Sequence, residues 1–190
     1  STEVGGLFMK YSGESNLKSI GLEMGGKSPF IVLDDARITD DLIDNAINSA
    51  FWNGGQNCSA NMRQIIHSKV KDEFLEKVTK KVKALKVGDP LDPTSNMGSM
   101  ISKKHLATVD GFIQKGIDEG AKLLFGGVSG KEQKGFYAKP TLFDNLKENM
   151  TIAQEEIFGP VLGVLTVDSA EEALKVASNS KYGLHASVFT

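Results

Sequence analysis

Residues 29–55, PFIVLDDARITDDLIDNAINSAFWNGG, join a short apolar run to an amphipathic segment and thereby indicate the class of fold. The run PFIVL has the length and composition of a buried strand, which Asp34 and Asp35 end. After the run, apolar residues recur at the spacing of one face of a helix: Ile38, Leu42, Ile43, Ala46, Ile47, Ala50 and Phe51. The pair Gly54-Gly55 is typical of a helix end. We therefore predict a buried strand followed by a helix that packs on it.

The same alternation of strands and helices continues along the chain. Strand or extended segments are predicted at 19–23, 63–67, 122–125, 138–143, 157–167 and 186–189. Helices are predicted at 1–11, 70–85, 102–119 and 168–179, with loops at 88–100 and 126–135. This order predicts an α/β fold with a mostly parallel, helix-covered sheet. In such sheets ligands bind at the carboxyl ends of the strands, so we expect the site there.

The composition excludes several classes of protein. The 190 residues carry 22 basic and 24 acidic side chains, a net charge of −2, without the basic patch of a nucleic-acid-binding protein. The apolar runs are too short to span a membrane. A single cysteine excludes an internal disulfide and favours the cytoplasm. With His67, His105 and His185 widely separated, no metal site is expected.

Both ends of the sequence interrupt a predicted element. Residue 1 is Ser1 rather than Met, and STEV already has the chemistry of a helix start. The last residues, HASVFT, form a predicted strand with nothing after it. We therefore expect the chain to be a fragment or a domain of a longer polypeptide.

The single cysteine, Cys58, follows a polar and flexible loop, NGGQN. A free cysteine is usually a small buried hydrophobe, which is one interpretation of this residue. The polar neighbours Asn57 and Ser59 favour the other, a thiol presented for chemistry. Because the thiolate is the reactive form, such a site needs free backbone N–H groups or a nearby base. The two glycines can supply the N–H groups, so both interpretations stay open on the residues alone.

Two further segments carry candidate polar groups. Glu23 precedes MGG and is either a solvated carboxylate or a partly desolvated general base. In EEIFGP, Glu155, Glu156 and Phe158 form either an acidic turn with a core aromatic or a site for a ribose and a ring. Taken singly, neither segment establishes a function.

Together, three motifs resemble those of the NAD(P)-dependent aldehyde dehydrogenases. They are LEMGGKSP at 22–29, FWNGGQNC at 51–58 and EEIFGPV at 155–161, and the resemblance extends over the whole chain. It implies an incomplete catalytic domain of that family at residues 26–190, preceded by the tail of the cofactor-binding domain at residues 1–25. It also implies that the parent enzyme is a homo-oligomer.

The resemblance implies a reaction and two catalytic residues. Cys58 corresponds to the nucleophile, which attacks the carbonyl carbon of an aldehyde to give a thiohemiacetal. Loss of hydride to the nicotinamide leaves a thioester, and Glu23 corresponds to the base that activates the hydrolytic water. The backbone N–H of Cys58 would hold the oxyanion.

The resemblance also implies a nicotinamide cofactor, NAD or NADP. Glu156 corresponds to the residue that binds a ribose, and Phe158 to the aromatic beside the nicotinamide. Ser1, Val4 and Gly25 correspond to further cofactor-binding positions, Ser1 and Val4 at a helix start near the pyrophosphate.

Other polar residues are expected to be structural. His105 aligns loosely with a ribose contact, although a solvated helix residue is the favoured interpretation. Lys27 is expected to anchor the turn after Glu23, while His67 and His185 are expected to have structural roles.

Two alternatives to an aldehyde-oxidising enzyme remain: a non-catalytic structural relative, and an acylating enzyme that uses coenzyme A. Cys58, Glu23 and Glu156 together disfavour the first, and Glu23 disfavours the second. The isolated chain is expected to have little NAD-dependent turnover.

Overall fold

The computed structural model describes residues 1–130 and 135–190. Helices α1 to α6 span Thr2–Gly13, Asp40–Phe51, Ser68–Ala84, Lys103–Asp118, Thr151–Gln154 and Ala170–Ser178. Strands β1 to β6 span Pro29–Val32, Arg63–His67, Lys122–Phe125, Thr141–Asp144, Val161–Val167 and Ser187–Phe189. Part of the loop predicted at 126–135, residues 131–134, lies outside the described residues.

The six strands form one sheet in the order β3-β4-β5-β2-β1-β6. Only β3 runs antiparallel to its neighbour among the described strands, and the other pairs are parallel. Pro29 pairs with Arg63, and Arg63 with Gly163, so β1, β2 and β5 start at similar heights in the sheet. The prediction of an α/β fold with a mostly parallel, helix-covered sheet is confirmed.

Side chains that alternate along the central strands supply two apolar layers. In β1, Phe30 and Val32 pack with α2 and α3, whereas Ile31 packs with α4 and α6 on the opposite face. All three side chains are buried, as expected for a strand covered on both faces.

Hydroxyl side chains cap the starts of four helices. Ser1, Thr39, Ser102 and Ser169 each accept a hydrogen bond from the backbone N–H three residues later. Each cap satisfies an N–H group that the first helical turn leaves unpaired, and is worth about 1 kcal/mol. The capped starts agree with the predicted helices to within two residues.

The prediction of a strand at 19–23 is wrong. These residues lie beside no sheet neighbour, and most of their side chains are exposed, so no ladder of hydrogen bonds forms. The strand predicted at 157–167 begins only at Val161, because the preceding residues form a turn in which Phe158 has a φ of 55°. No helix in the described ranges has the length and apolar character required to cross a membrane.

Candidate active site

Cys58 lies in a tight connection between α2 and β2. A 3-10 turn, Trp52–Gly55, follows α2, and Asn53, Gly54 and Gly55 have positive φ values of 53°, 63° and 71°. Glycine tolerates this left-handed backbone without a steric penalty, so the Gly-Gly pair turns the chain sharply ahead of the cysteine. The Cys58 side chain is half-buried and forms no disulfide.

The loop around Cys58 is held by Gln56. The Gln56 side-chain carbonyl accepts a hydrogen bond from the Ile101 N–H at 2.9 Å. Within the loop, the side-chain amide of Asn53 donates a hydrogen bond to the backbone carbonyl oxygen of Gln56 at 3.0 Å. The first bond joins positions 45 residues apart, so this loop is attached to the segment before α4.

The side chain of Asn57 lies beside the sulfur. Its Oδ1 accepts hydrogen bonds from the Ser59 N–H at 3.3 Å and the Ser59 hydroxyl at 3.2 Å, and it lies 3.9 Å from the Cys58 Sγ. Asn57 and Ser59, the polar neighbours of the cysteine, therefore hydrogen-bond to each other and fix the conformation of its loop.

Glycines bring the LEMGGKSP segment against both of the other motifs. A β-carbon at Gly26 would lie 3.1 Å from the Cys58 carbonyl oxygen, and one at Gly25 would lie 1.8 Å from a carboxylate oxygen of Glu156. The Gly26 N–H donates to Glu156 Oε1 at 3.2 Å. Gly55 completes the junction, because a β-carbon there would lie 2.5 Å from the Gly159 carbonyl oxygen. The three segments therefore pack closely, and at Gly55 the contact with the Gly159 backbone leaves no room for a side chain.

This junction lies at the amino ends of the strands. Gly26 precedes β1, Cys58 precedes β2 and Glu156 precedes β5, and these three strands are parallel. The expectation that the candidate residues gather at the carboxyl ends is therefore wrong. The reason is that each motif immediately precedes its strand in the chain.

Phe158 is held in an exposed position by His105. Its φ of 55° is rare for a bulky residue, and its side chain is 39% exposed. His105 Nε2 lies 2.6 Å from the Phe158 carbonyl oxygen, and the two rings pack edge-on with centroids 6.2 Å apart. The expectation that His105 is a solvated helix residue is wrong, because it is half-buried against this turn.

Glu23 lies with Ser1 and Val4 rather than in a desolvated position. The three residues line a cleft of about 280 Å³ between α1 and the segment that follows it. The Glu23 side chain is exposed, so the expectation of partial desolvation is not met in this chain. Gly26 is only three residues away, which limits the backbone path from Glu23 to the Cys58 junction to about 10 Å.

Two histidines have structural contacts. His67 Nδ1 accepts from the Lys69 N–H at 3.2 Å and caps α3, while its Nε2 lies 2.9 Å from the Asp168 carbonyl oxygen. His185 Nε2 lies 3.3 Å from the Ser187 hydroxyl. Lys27 differs from the expected turn anchor, because its amine has no hydrogen-bonding partner among the described residues.

Comparison with known proteins identifies the family. The family model described as the aldehyde dehydrogenase family matches residues 1–190. The chain belongs to the aldehyde dehydrogenase family.

The curated relatives are similar along the whole chain. A putative aldehyde dehydrogenase of Staphylococcus saprophyticus is 45% identical over 191 residues, which cover 100% of this chain and 40% of that protein. The aminoacetaldehyde dehydrogenase of Pseudomonas aeruginosa is 38% identical over 190 residues, with coverage of 100% and 38%. The chain thus spans about two fifths of the length of these relatives.

Solved aldehyde dehydrogenases share the fold. The NAD+ complex of the Bacillus cereus aldehyde dehydrogenase has a TM-score of 0.94 and 40% identity, and the match covers 100% of this chain and 38% of that one. That neighbour was solved with NAD+ bound, and a second neighbour, a 3,6-anhydro-L-galactose dehydrogenase that is 41% identical with a TM-score of 0.89, was solved with NAP.

Several contacts of the site were not foreseen from the sequence. The attachment of Gln56 to Ile101 and of His105 to Phe158 joins residues far apart in the chain, which no local pattern reveals. The close approach of Gly25 and Gly26 to Glu156 did have a signal in the sequence, because paired glycines often mark a place where two segments come close together.

Proposed function

We propose that this chain is the catalytic part of an enzyme that oxidises an aldehyde to a carboxylic acid with NAD or NADP, through a thioester on Cys58. The observation that carries the proposal is the junction at which Gly26 lies against the Cys58 backbone and bonds to Glu156. Residues 26–190 would form the catalytic domain, with residues 1–25 as the tail of the cofactor-binding domain.

Cys58 acts as the nucleophile. Its thiolate forms a carbon–sulfur bond to the aldehyde carbonyl carbon, and the carbonyl electron pair moves to oxygen. The backbone N–H of Cys58 stabilises that oxyanion. Covalent attachment is needed because the carbonyl carbon becomes a hydride donor only after it is tetrahedral. Return of the electron pair expels hydride and leaves the acyl group on sulfur.

Glu23 acts as the base for hydrolysis. Its carboxylate removes a proton from a water molecule, which attacks the thioester and releases the carboxylic acid and the thiolate. An exposed carboxylate in a cleft has access to water, and Glu23 lies three residues before Gly26, whose backbone lies against that of Cys58. Water as the acceptor distinguishes this reaction from transfer to coenzyme A.

The chain also offers groups that fit a nicotinamide cofactor. Among the described residues the Glu156 carboxylate has a hydrogen-bonding partner at Oε1 only, so Oε2 could bind a ribose hydroxyl, and a β-carbon at Gly25 would lie 1.8 Å from Oε2. Phe158 presents an exposed aromatic face for the nicotinamide ring, and Ser1 and Val4 line the cleft at the start of α1, where the helix favours an anion. The bound nicotinamide would accept the hydride.

An acyl-enzyme experiment tests these roles on the chain as it stands. Incubation with p-nitrophenyl acetate should give nitrophenol and a mass increase of one acetyl group on the Cys58 peptide. Cys58→Ala should abolish both signals. Glu23→Gln should accumulate the acetylated protein, because acylation continues while hydrolysis slows about 100-fold or more.

The same experiment can refute the proposal. Acetylation that persists in Cys58→Ala would exclude the nucleophile. Normal turnover in Glu23→Gln would exclude the base, and faster deacylation with coenzyme A than with water would favour an acylating enzyme.

A further inference from the structure

The loop that carries Cys58 is hydrogen-bonded to a neighbouring segment through a single side chain. Within the described part of the chain, residues 56–59 bond to positions outside 53–60 only through the side chain of Gln56. The other hydrogen bonds of these residues stay inside the loop. The turn ahead of the loop contains two glycines, which restrain the backbone less than other residues do. The conformation of the loop therefore depends on Gln56.

Both ends of the Gln56 side-chain amide are used. Its Oε1 accepts a hydrogen bond from the Ile101 N–H at 2.9 Å. Its Nε2 donates to the carbonyl oxygens of Asn53 at 3.2 Å and of Ser99 at 3.4 Å. Rotating the amide by half a turn would place its oxygen against two carbonyl oxygens and its NH₂ group against an N–H. Only one orientation is therefore stable, and it joins the loop to residues 99–101.

The segment 99–101 is itself fixed. The Met100 side chain is buried in the apolar layer, and the Met100 N–H donates to the Phe136 carbonyl oxygen at 2.7 Å. Ser102, the next residue, caps the start of α4. A β-carbon at Gly54 would lie 3.0 Å from the end of the Met100 side chain, so the segment packs directly on the glycine turn. Gln56 thus attaches the loop to a well-packed support.

The backbone N–H of Cys58 has no hydrogen-bonding partner among the residues that the structure describes. On its carbonyl side, Cys58 lies against Gly26, where an added β-carbon would approach the Cys58 oxygen to 3.1 Å. On its amino side, two peptide units separate this N–H from Gln56. A free N–H can stabilise an oxyanion only if it points to the place where the negative charge develops.

We propose that Gln56 is a positioning residue, which fixes the direction of the Cys58 N–H toward the oxyanion. The inference rests on the proposed function, in which Cys58 is acylated. When the thiolate forms its carbon–sulfur bond to a carbonyl group, the carbonyl electron pair moves to oxygen, and the N–H donates to that oxygen. Gln56 acts through the two peptide units and does not itself bond to the oxyanion.

Two reactions of the same thiol separate this role from a general loosening of the loop. With p-nitrophenyl acetate, the sulfur attacks a carbonyl carbon, an oxyanion forms, and p-nitrophenolate leaves. With iodoacetamide, the sulfur displaces iodide from a methylene carbon, and no oxyanion forms. Both reactions need the thiolate, so a change in the ionisation of the thiol alters both rates. The ratio of the acylation rate to the alkylation rate therefore reports on the oxyanion donor.

The ratio is measured at pH 7 on the intact chain and its variants. Gln56→Met removes both ends of the amide, and the ratio should fall about 10-fold or more, because the donor is no longer held in place. Gln56→Glu keeps an oxygen for the Ile101 N–H but loses the donor bonds, so its ratio should fall by less. Gln154→Met is the matched control, since that half-buried amide donates to the carbonyl oxygens of Glu148 and Asn179 instead. Its ratio should stay unchanged.

The outcomes distinguish this inference from the proposed function. An unchanged ratio in either Gln56 variant, with normal acylation of the unsubstituted chain, would overturn the positioning role and leave the thioester chemistry in place. An equal fall in Gln154→Met would also overturn it, because loosening anywhere in the fold would then suffice. An unsubstituted chain that is alkylated but never acylated at Cys58 would refute the proposed function, and the role of Gln56 with it.

Discussion

The carboxylate of Glu156 accepts a hydrogen bond from the backbone N–H of Gly26, at 3.2 Å and across 130 residues of sequence. The bond joins the turn before β5 to the segment before β1, and that segment also lies against the Cys58 carbonyl group. The candidate nucleophile and the candidate ribose-binding residue therefore share one backbone support, so a change at this support should affect both.

Gly25→Ala should break that support at a modest cost in stability. The added β-carbon would lie 1.8 Å from Glu156 Oε2, and the carboxylate can move away because it is the end of a flexible side chain. We expect a loss of about 1 kcal/mol in the free energy of unfolding and faster hydrogen exchange of the Gly26 amide. Gly21→Ala is the control, since no atom lies within 4 Å of its added carbon. Equal Gly26 protection in both variants would contradict this.

Gly55→Ala should destabilise the chain far more. Its β-carbon would meet the Met62 side chain and, at 2.5 Å, the backbone carbonyl oxygen of Gly159, which cannot move freely. The φ of 71° adds strain, and we expect a total loss of about 3 kcal/mol in chemical denaturation. Gly120→Ala separates the two causes, because its φ is 88° but no atom is close. It should cost about 1 kcal/mol.

Lys27 should make stability depend on pH. Its folded pKa of about 7 lies below its unfolded value of 10.5, so the unfolded chain binds more protons between these two values. The free energy of unfolding should therefore rise from pH 7 to pH 10, on the order of a few kcal/mol. Arg63 contributes to the lowered pKa, after burial, and the carboxylates of Glu156 and Glu155 oppose it.

Lys27→Met is the matched variant for this pH dependence. In this variant the free energy of unfolding should no longer rise above pH 7. The measurement is chemical denaturation in chloride buffers without carboxylates. Parallel curves for the two proteins would show that other groups cause the dependence.

Arg63→Met should loosen α6. The side chain would no longer bond to the carbonyl oxygens of Val176, Ala177 and Asn179, which terminate the helix. We expect a loss of about 3 kcal/mol, since hydrogen bonds from a charged donor are stronger than neutral ones. Lys181→Met removes an exposed ion pair to Glu155 and should leave the unfolding midpoint unchanged. Similar midpoints for both variants would rule out the structural role of Arg63.

Local patterns of sequence were sufficient for much of the fold. The run 29–33 has no polar side chain, and the structure buries Phe30, Ile31 and Val32 in the sheet. The helix that follows could be predicted from the 3.6-residue spacing of its apolar side chains and from its Thr39 cap alone. The segment 19–23 has only two apolar side chains, Ile20 and Leu22, and it lies beside no other strand; a strand requires a neighbour, and pairing is not visible in a local pattern.

The arrangement of the site was predicted less well. The motifs identified the residues, but the expected edge of the sheet was the wrong one, although the order of motif and strand in the chain was available. Exposure of Glu23 and burial of Lys27 depend on which segments pack against them, which the sequence does not reveal. The roles of Cys58, Glu23 and Glu156, a homo-oligomeric parent and a cytoplasmic location stay predictions.

Alkylation of Cys58 by iodoacetamide near pH 7 asks whether the fold presents the thiol or hides it. The rate is compared between the folded chain and the same chain unfolded in urea, followed by mass spectrometry of the only cysteine peptide. A presented nucleophile should react in the folded chain at least as fast as in the unfolded one. A folded rate about 100-fold slower would mean that Cys58 is a structural thiol, and the proposed thioester chemistry would be wrong.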